Sequence, residues 1–599
     1  MTVSPALVPS TQPTFTIRVD GEPILDTIQV VSIDVWSSVN RLPRARLVLY
    51  DGTPAERDFP LSDSSTFLPG QRVEIDVGYL DQQQSPLFSG LIVKQGLEID
   101  QTRASRLVLD LSDDALAMTL ERKNALFENV TDSALIGQLI ADNGLSKDVA
   151  PTDTVHEVIV QYYASDWDLM VTRAELNGLV VLADGGRVTV ERPDTAQTPV
   201  LAVEYGESIL DFHARMDAAT QYAPSAIKSY TWDAGAQKVV DAGPGKVDAE
   251  GPGNVSSDQL ARVFDVKSYP RQTGGPIEKT ALKDWSSAEL LKSRLSKIRG
   301  EVRFQGNAQA RPGKTLELGG LGGRFNGTAY IGGVRHSVRD GKWLTTAELG
   351  LSPQWFAADA PHLAAPDASG QLPPIKGLQT GVVKRVAKDP EGELRVLVEL
   401  PLLRQDGQGV WARLGTFYAT GGAGAVFFPE VADEVVVGFM NEDPRYPVIL
   451  GSVYSKKLAP PFPPEEKNDR KAIVTRGQLA ITFDDGDGVL QIETPGGHTI
   501  RLDDGAREVS IRDSNSNSVV LSRSGITLDS AAGLELKAKG NITLQAGANL
   551  SLEAKANATM EGLQVSHKAK AKFSAQGSAT AELKASGILT VQGALVKIN

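Results

Sequence analysis

The sequence contains no cysteine, which excludes disulfides, thiolate catalysis and cysteine-ligated metals. Aromatic residues make up only 6% of the chain. No stretch approaches the roughly 18–20 consecutive apolar residues that a membrane-spanning helix requires. Positive charge is in deficit, with 61 Lys and Arg against 74 Asp and Glu and a formal net charge of −13. That balance argues against general nucleic-acid binding. The first residues, Met1-Thr2-Val3-Ser4-Pro5, lack a basic region followed by an apolar stretch, so no Sec leader is expected. Catalytic signatures are missing as well. There is no G-x-S-x-G elbow and no G-x-x-x-x-G-K-[ST] loop.

The six histidines, His156, His213, His336, His362, His498 and His567, are scattered. His156-Glu157 opens like a metalloprotease motif, but Val160 stands where the second histidine would be needed, and the segment alternates like a strand. Asp484, Asp485 and Asp487 with Gly486 and Gly488 resemble a calcium loop. The distal glutamate is absent, because the twelfth position from Asp484 is Pro495, so a hairpin turn is the expectation. The glycines at 319, 320, 322 and 323 lack a following helix and read as a loop. No enzyme activity, cofactor or metal site is expected.

What is present is length and glycine. A chain of 599 residues with 57 glycines and 41% apolar content is too large for one core; about four domains of turn-rich β structure are expected. Residues 1–351 read as α+β, in two subdomains. Phe15–Val19, Arg46–Tyr50, Arg72–Tyr79 and Leu87–Val93 alternate like half-buried strands. Helices are expected from Asp132 to Asp142 behind Thr131, from Asp166 to Asn177 behind Ser165, and from Ser287 to Ile298 ahead of Gly300. Residues 352–377 carry five prolines and many alanines and read as a linker. Short strands spaced by Gly and Pro over 378–454 predict a small closed barrel of the OB type. A second, charged and proline-rich linker occupies 455–475.

In residues 476–599 the composition changes, and an eight-residue repeat emerges. Ile526, Leu534, Ile542, Leu550 and Ala558 hold one phase; Leu528, Leu536, Leu544, Leu552 and Met560 hold the phase two residues on. Small residues follow at the next two alternate positions, and Gly533, Asn541, Asn549 and Asn557 close each unit, as residues tolerant of positive φ should at a tight bend. One chain has a single apolar stripe. About ten bulky side chains at roughly 1.5–3 kcal/mol each do not offset backbone ordering at roughly 1–2 kcal/mol per residue. Three chains wound about one axis would enclose the stripes, so the expectation is an intertwined homotrimeric β-helix with Ile526, Leu528, Leu534, Leu536, Ile542, Leu544, Leu550, Leu552 and Met560 in its core. A monomeric β-helix with wider rungs is the alternative. The repeat runs out through Leu595, Val596, Ile598 and Asn599, whose strand edges would be unpaired; these residues are the expected contact for a separate tip protein.

The barrel segment carries specific wording. Gly409-Val410-Trp411-Ala412-Arg413-Leu414, Gly424-Ala425-Val426-Phe427-Phe428-Pro429-Glu430-Val431 and the run from Glu434 to Tyr454 closely resemble the OB domain of VgrG proteins and of the phage baseplate assembly protein V spikes. Leu68–Ile75, Phe88-Ser89-Gly90 and Gln161–Leu169 are similar to the hub of that family, and Val39–Leu49 looks most like spikes of extracellular contractile injection systems. The resemblance covers essentially the whole chain. It implies hub barrels, an OB barrel and a trimeric needle that joins an inner-tube protein and baseplate proteins to a PAAR-type tip protein. It also implies assembly in the cytoplasm into a particle that is extracellular or released, contact with the target membrane only on injection, and room for effector cargo. A type VI VgrG or a receptor-binding tail fibre is the alternative. The short linker at 455–475 leaves no space for the lysozyme domain of some phage spikes. Trp411, Phe427, Phe428 and Phe439 are read as core or subunit-interface residues, since no basic groove accompanies them; Gly421-Gly422-Ala423-Gly424 is either a binding loop or a barrel connection.

Overall fold

Alternation of apolar and polar residues gives the first 350 residues one 13-stranded sheet as their framework. The computed structural model describes residues 4–5, 12–80, 82–101, 104–360, 363–403 and 409–598. Met1–Val3, His362 and Asn599 therefore lie outside the described residues. Two units are distinguished, Met1–Val453 and Tyr454–Asn599.

In the first unit the sheet begins at Ile209–Met216 and passes through Ile298–Gln305, Lys342–Leu349, Gly327–Arg339, Val30–Ser38, Arg44–Tyr50 and Ser105–Ser112 to Ser85–Ile99, Arg72–Tyr79 and Pro13–Val19. Its two halves cover separate cores. Ile33, Leu47, Ile75 and Leu109 fill one; Val302, Phe304, Leu316 and Ile331 fill the other. The expected hub barrels thus take the form of one continuous sheet, because the strand at Gly327–Arg339 pairs with both Lys342–Leu349 and Val30–Ser38 and bridges the halves.

A third core is helical. Helix α1 (Asp132–Asp142) is capped by the Thr131 hydroxyl, which accepts from the Ala134 amide, and α2 (Asp166–Leu176) by Ser165, which accepts from Asp168. Leu135, Ile136, Leu139 and Ile140 of α1 meet Met170 and Val171 of α2. Helix α3 (Ser257–Phe264) was not anticipated, although its capping box, Ser256 with Gln259, is written in the sequence. Helix α4 runs from Lys279 to Leu295, displaced from the expected Ser287–Ile298. Ile298 instead opens a strand, and Gly300 lies inside that strand rather than ending a helix. A Cβ there would collide with the His213 carbonyl on the neighbouring strand, so glycine marks a close approach of two backbones.

The alanine- and proline-rich segment 352–377 is a docked strap, not a free linker. Trp355 donates its indole N–H to Glu289 (2.8 Å) beneath Arg271, and the Phe356 amide donates to Glu175 (2.7 Å). Further along, the Ile375 amide donates to the Glu442 carbonyl on the barrel (2.9 Å). The strap forms a short helix, Phe356–Asp359, and two aromatics with buried carboxylates provide anchoring that composition does not register.

The barrel itself closes through β1 (Gln379–Arg385), β2 (Val396–Glu399), β3 (Val410–Leu414), β4 (Glu434–Phe439) and β5 (Pro447–Ser452), in the order β1-β2-β3-β5-β4. Val383, Val396, Val398, Ala412, Val435, Val437 and Ile449 fill it. Phe439 packs on that core, Trp411 is half-buried, and Phe427 and Phe428 are exposed. Gly421-Gly422 forms the turn of a small ladder, Ala419–Thr420 against Ala423–Gly424.

His336 is fully enclosed in the hub sheet, with Nδ1 2.9 Å from the Thr345 hydroxyl. Burial drives its pKa down to about 3. The unfolded chain takes up this proton near pH 6.5 and the folded chain does not, so the contribution is present above that pH and is lost as pH falls toward 3. The expected result is a urea midpoint that declines over this range, and a His336→Gln variant with a shallower decline.

Candidate trimerisation surface

The second unit begins with a seven-stranded antiparallel meander: β6 (Arg470–Val474), β7 (Ala480–Asp484), β8 (Val489–Glu493), β9 (Thr499–Asp503), β10 (Glu508–Arg512), β11 (Ser518–Ser522) and β12 (Gly525–Asp529). Its turns are polar and glycine-bearing. At Asp484–Gly488 the Asp487 amide donates to Asp484 (3.0 Å), and the aspartates shape the β7–β8 turn. Among the described residues no His, Asp and Glu group is arranged to hold a metal ion. His156 lies in a strand and is held by Asp132 (3.0 Å).

The register of the meander decides the chemistry of its faces. Ile473 stands opposite Ile481, then Ile492, Ile500, Ile511, Val519 and Leu528 in successive strands. A parallel row runs Phe483, Leu490, Leu502, Val509, Leu521 and Ile526. Alternation puts both rows on one face of the sheet. The other face presents Thr482, Gln491, Arg501 and Ser510 in register, with Arg501 donating to Gln491 (3.0 Å) and Asp503 (2.8 Å). Two unbroken apolar ladders therefore lie on one side of a sheet whose other side is mainly polar. The ladder side chains remain substantially accessible: Ile492 is 41% exposed and Ile511 49%. An apolar face of this extent marks an interaction surface.

Beyond Asp529 no strand forms among the described residues. Of the expected needle core, Ile526 and Leu528 sit in β12, at the end of the two ladders. Leu534, Leu536, Ile542, Leu544, Leu550, Leu552 and Met560 follow, and the whole set is 55–77% exposed in the single chain. Leu595, Val596 and Ile598 are exposed too; Asn599 lies outside the described residues. The expected octad region, 476–599, thus divides into a self-paired meander and a stretch with no ladder of its own, and the expected linker at 455–475 yields its last residues to β6.

The ladder residues before Ile526 do not follow the period of eight. Their signal is an apolar pair at i and i+2: 481/483, 490/492, 500/502, 509/511 and 519/521. The pairs recur at nine or ten residues and feed into the octads without a gap, so one apolar stripe continues from the meander into the repeat.

The family model of the Alg8 N-terminal domain matches residues 9–340, more than half of the chain. The type VI secretion system/phage-baseplate injector OB domain matches 379–454, and the phage baseplate V C-terminal trimerisation domain matches 489–599. Two curated relatives, the type VI secretion system spike proteins VgrG1c and VgrG1b of Pseudomonas aeruginosa, are each 28% identical over 111 residues. That stretch is 17% of this chain and 15% of each relative. Among solved structures, the 43 kDa tail protein of prophage MuSo2 from Shewanella oneidensis aligns at 12% identity and a TM-score of 0.42, over 57% of this chain and 98% of that one. The Francisella PdpA-VgrG complex, half-lidded, aligns at 9% and 0.36, over 87% and 88%. The chain belongs to the family of the Alg8 N-terminal domain, and it carries beyond that domain a phage-baseplate injector OB domain and a phage baseplate V C-terminal trimerisation domain.

Proposed function

We propose that three copies of this chain form the central spike of a contractile, phage-tail-like injection machine. The carrying observation is the apolar stripe from Ile473 to Met560, which one chain leaves largely exposed, while among the described residues past Asp529 the backbone forms no ladder. Unpaired backbone groups and aliphatic rows are both costly in water. Three meanders facing one another satisfy the second requirement, and three octad runs winding together satisfy both.

In this reading the hub joins the inner-tube protein and the baseplate proteins, and the needle meets a PAAR-type tip protein through Leu595, Val596, Ile598 and Asn599. The work is mechanical and non-enzymatic: sheath contraction drives a stiff prism through the target envelope. The particle is assembled in the cytoplasm and acts outside the producing cell, with effector cargo as a further passenger. Removing residues 530–599 tests the role. The expected result is loss of tip-protein loading and of injection with hub and barrel still folded; unchanged injection overturns it.

A further inference from the structure

The apolar stripe slips once. From Ile526 to Met560 its bulky side chains stand at even positions. From Leu563 onward they stand at odd ones: Leu563, Val565, Ala569, Ala571, Phe573 and Ala575 alternate with Gln564, Ser566, Lys568, Lys570, Lys572 and Ser574. One residue inserted into an extended chain turns every later side chain to the other face, and glycine commonly marks the place; here it is Gly562. The new alternation holds as far as Ala585. Between Leu563 and Ala585 a single polar side chain stands on the apolar side, and it is His567. Its ring lies 6.1 Å from that of Phe573, a member of the same row. The single chain leaves this segment exposed.

A stripe closed by three chains carries this imidazole inward, and threefold symmetry brings three copies of it to one level of the needle. An enclosed imidazole is costly unless its nitrogens find partners. The neighbouring side chains supply none. Those in its row are aliphatic or aromatic, no Asp or Glu occurs between Glu561 and Glu582, and lysine ammoniums on the outer face only donate. Each His567 is left with the other two copies. Three neutral imidazoles at one level are a ligand set for a transition-metal ion, with a fourth position left for water. Among the described residues no three His, Asp or Glu side chains come together within one chain to hold a metal, so this site exists only in the assembly. Lys568, Lys570 and Lys572 bias against a cation, but from the solvent face, where water and salt screen them.

We propose that the three His567 side chains of one trimer bind a single divalent transition-metal ion inside the needle shaft, apart from the tip contact at Leu595, Val596 and Ile598. This rests on the trimer reading. The ion ties the three chains together just past the slip at Gly562. The full-length chain, produced without an affinity tag in zinc-supplemented medium, is washed with EDTA; its metal content and its mass by light scattering are then measured on the same sample. One zinc ion per three chains is expected, kept through the EDTA wash and released when the protein is unfolded in guanidinium. His567→Leu, which suits an apolar interior, should keep the trimer mass and hold no zinc. Cobalt supplied in place of zinc should give the visible absorption of a low-coordinate site in the parent and none in the variant. A particle of trimer mass that holds no zinc after the wash, or a His567→Leu trimer that holds as much as the parent, overturns the site and leaves the trimer standing. A particle of monomer mass overturns the trimer reading itself, and the site with it.

Discussion

Replacing Leu536 and Leu544 together by aspartate is expected to convert the particle from trimer to monomer. Both side chains are more than 60% exposed in the single chain, so the change costs the isolated fold almost nothing. In a threefold needle they face a dry interior. Six leucines are then removed from it, roughly 10 kcal/mol per trimer on burial alone, and six carboxylates are left without partners in an apolar setting. Light scattering should report a threefold drop in mass, with the circular dichroism of hub and barrel unchanged. If the octad side chains were simply a solvated surface, the double variant would keep the parent mass.

The second large effect is in the hub. Asp132, at the start of α1, is 3% exposed in its side chain and accepts from Arg173 Nε (2.5 Å) and Nη2 (3.0 Å), from Asn177 (2.8 Å) and from His156 (3.0 Å). Burial works against the ionised carboxylate, but Arg173, Asn177 and His156 outweigh it and hold its pKa below the ordinary value. The carboxylate therefore joins α1, α2 and the strand Val155–Ala164 at one point. Asp132→Ala leaves Arg173 without its partner, which costs about 3–5 kcal/mol and should lower the hub melting temperature by roughly 10 °C. Because the folded pKa is depressed, this contribution is complete above the unfolded carboxyl range near about 4. It is lost as pH falls through the folded value. Melting curves of variant and parent should converge at acid pH; a constant difference would contradict the assignment.

Local rules carried the helices at Asp132 and Asp166, because a capping side chain and a four-residue apolar period are properties of adjacent residues. They misplaced Lys279–Leu295, where no side chain caps the N-terminus and Gly300 imitated a stop signal while serving a strand contact. The strap at 352–377 was misjudged for a related reason: its order comes from Glu175 and Glu289, far away in sequence. The octad stripe was legible since its period is constant. The meander ladders were not, because turn lengths vary while the register between strands, which sequence spacing does not print, keeps the apolar pairs aligned.

The central claim is that this chain closes its apolar stripe only with two further copies. The mass of the full-length chain in solution, by multi-angle light scattering at micromolar concentration, tests it most directly. A single species at three times the 64.0 kDa chain mass is predicted, unchanged on dilution. A stable, soluble species at 64.0 kDa would contradict it.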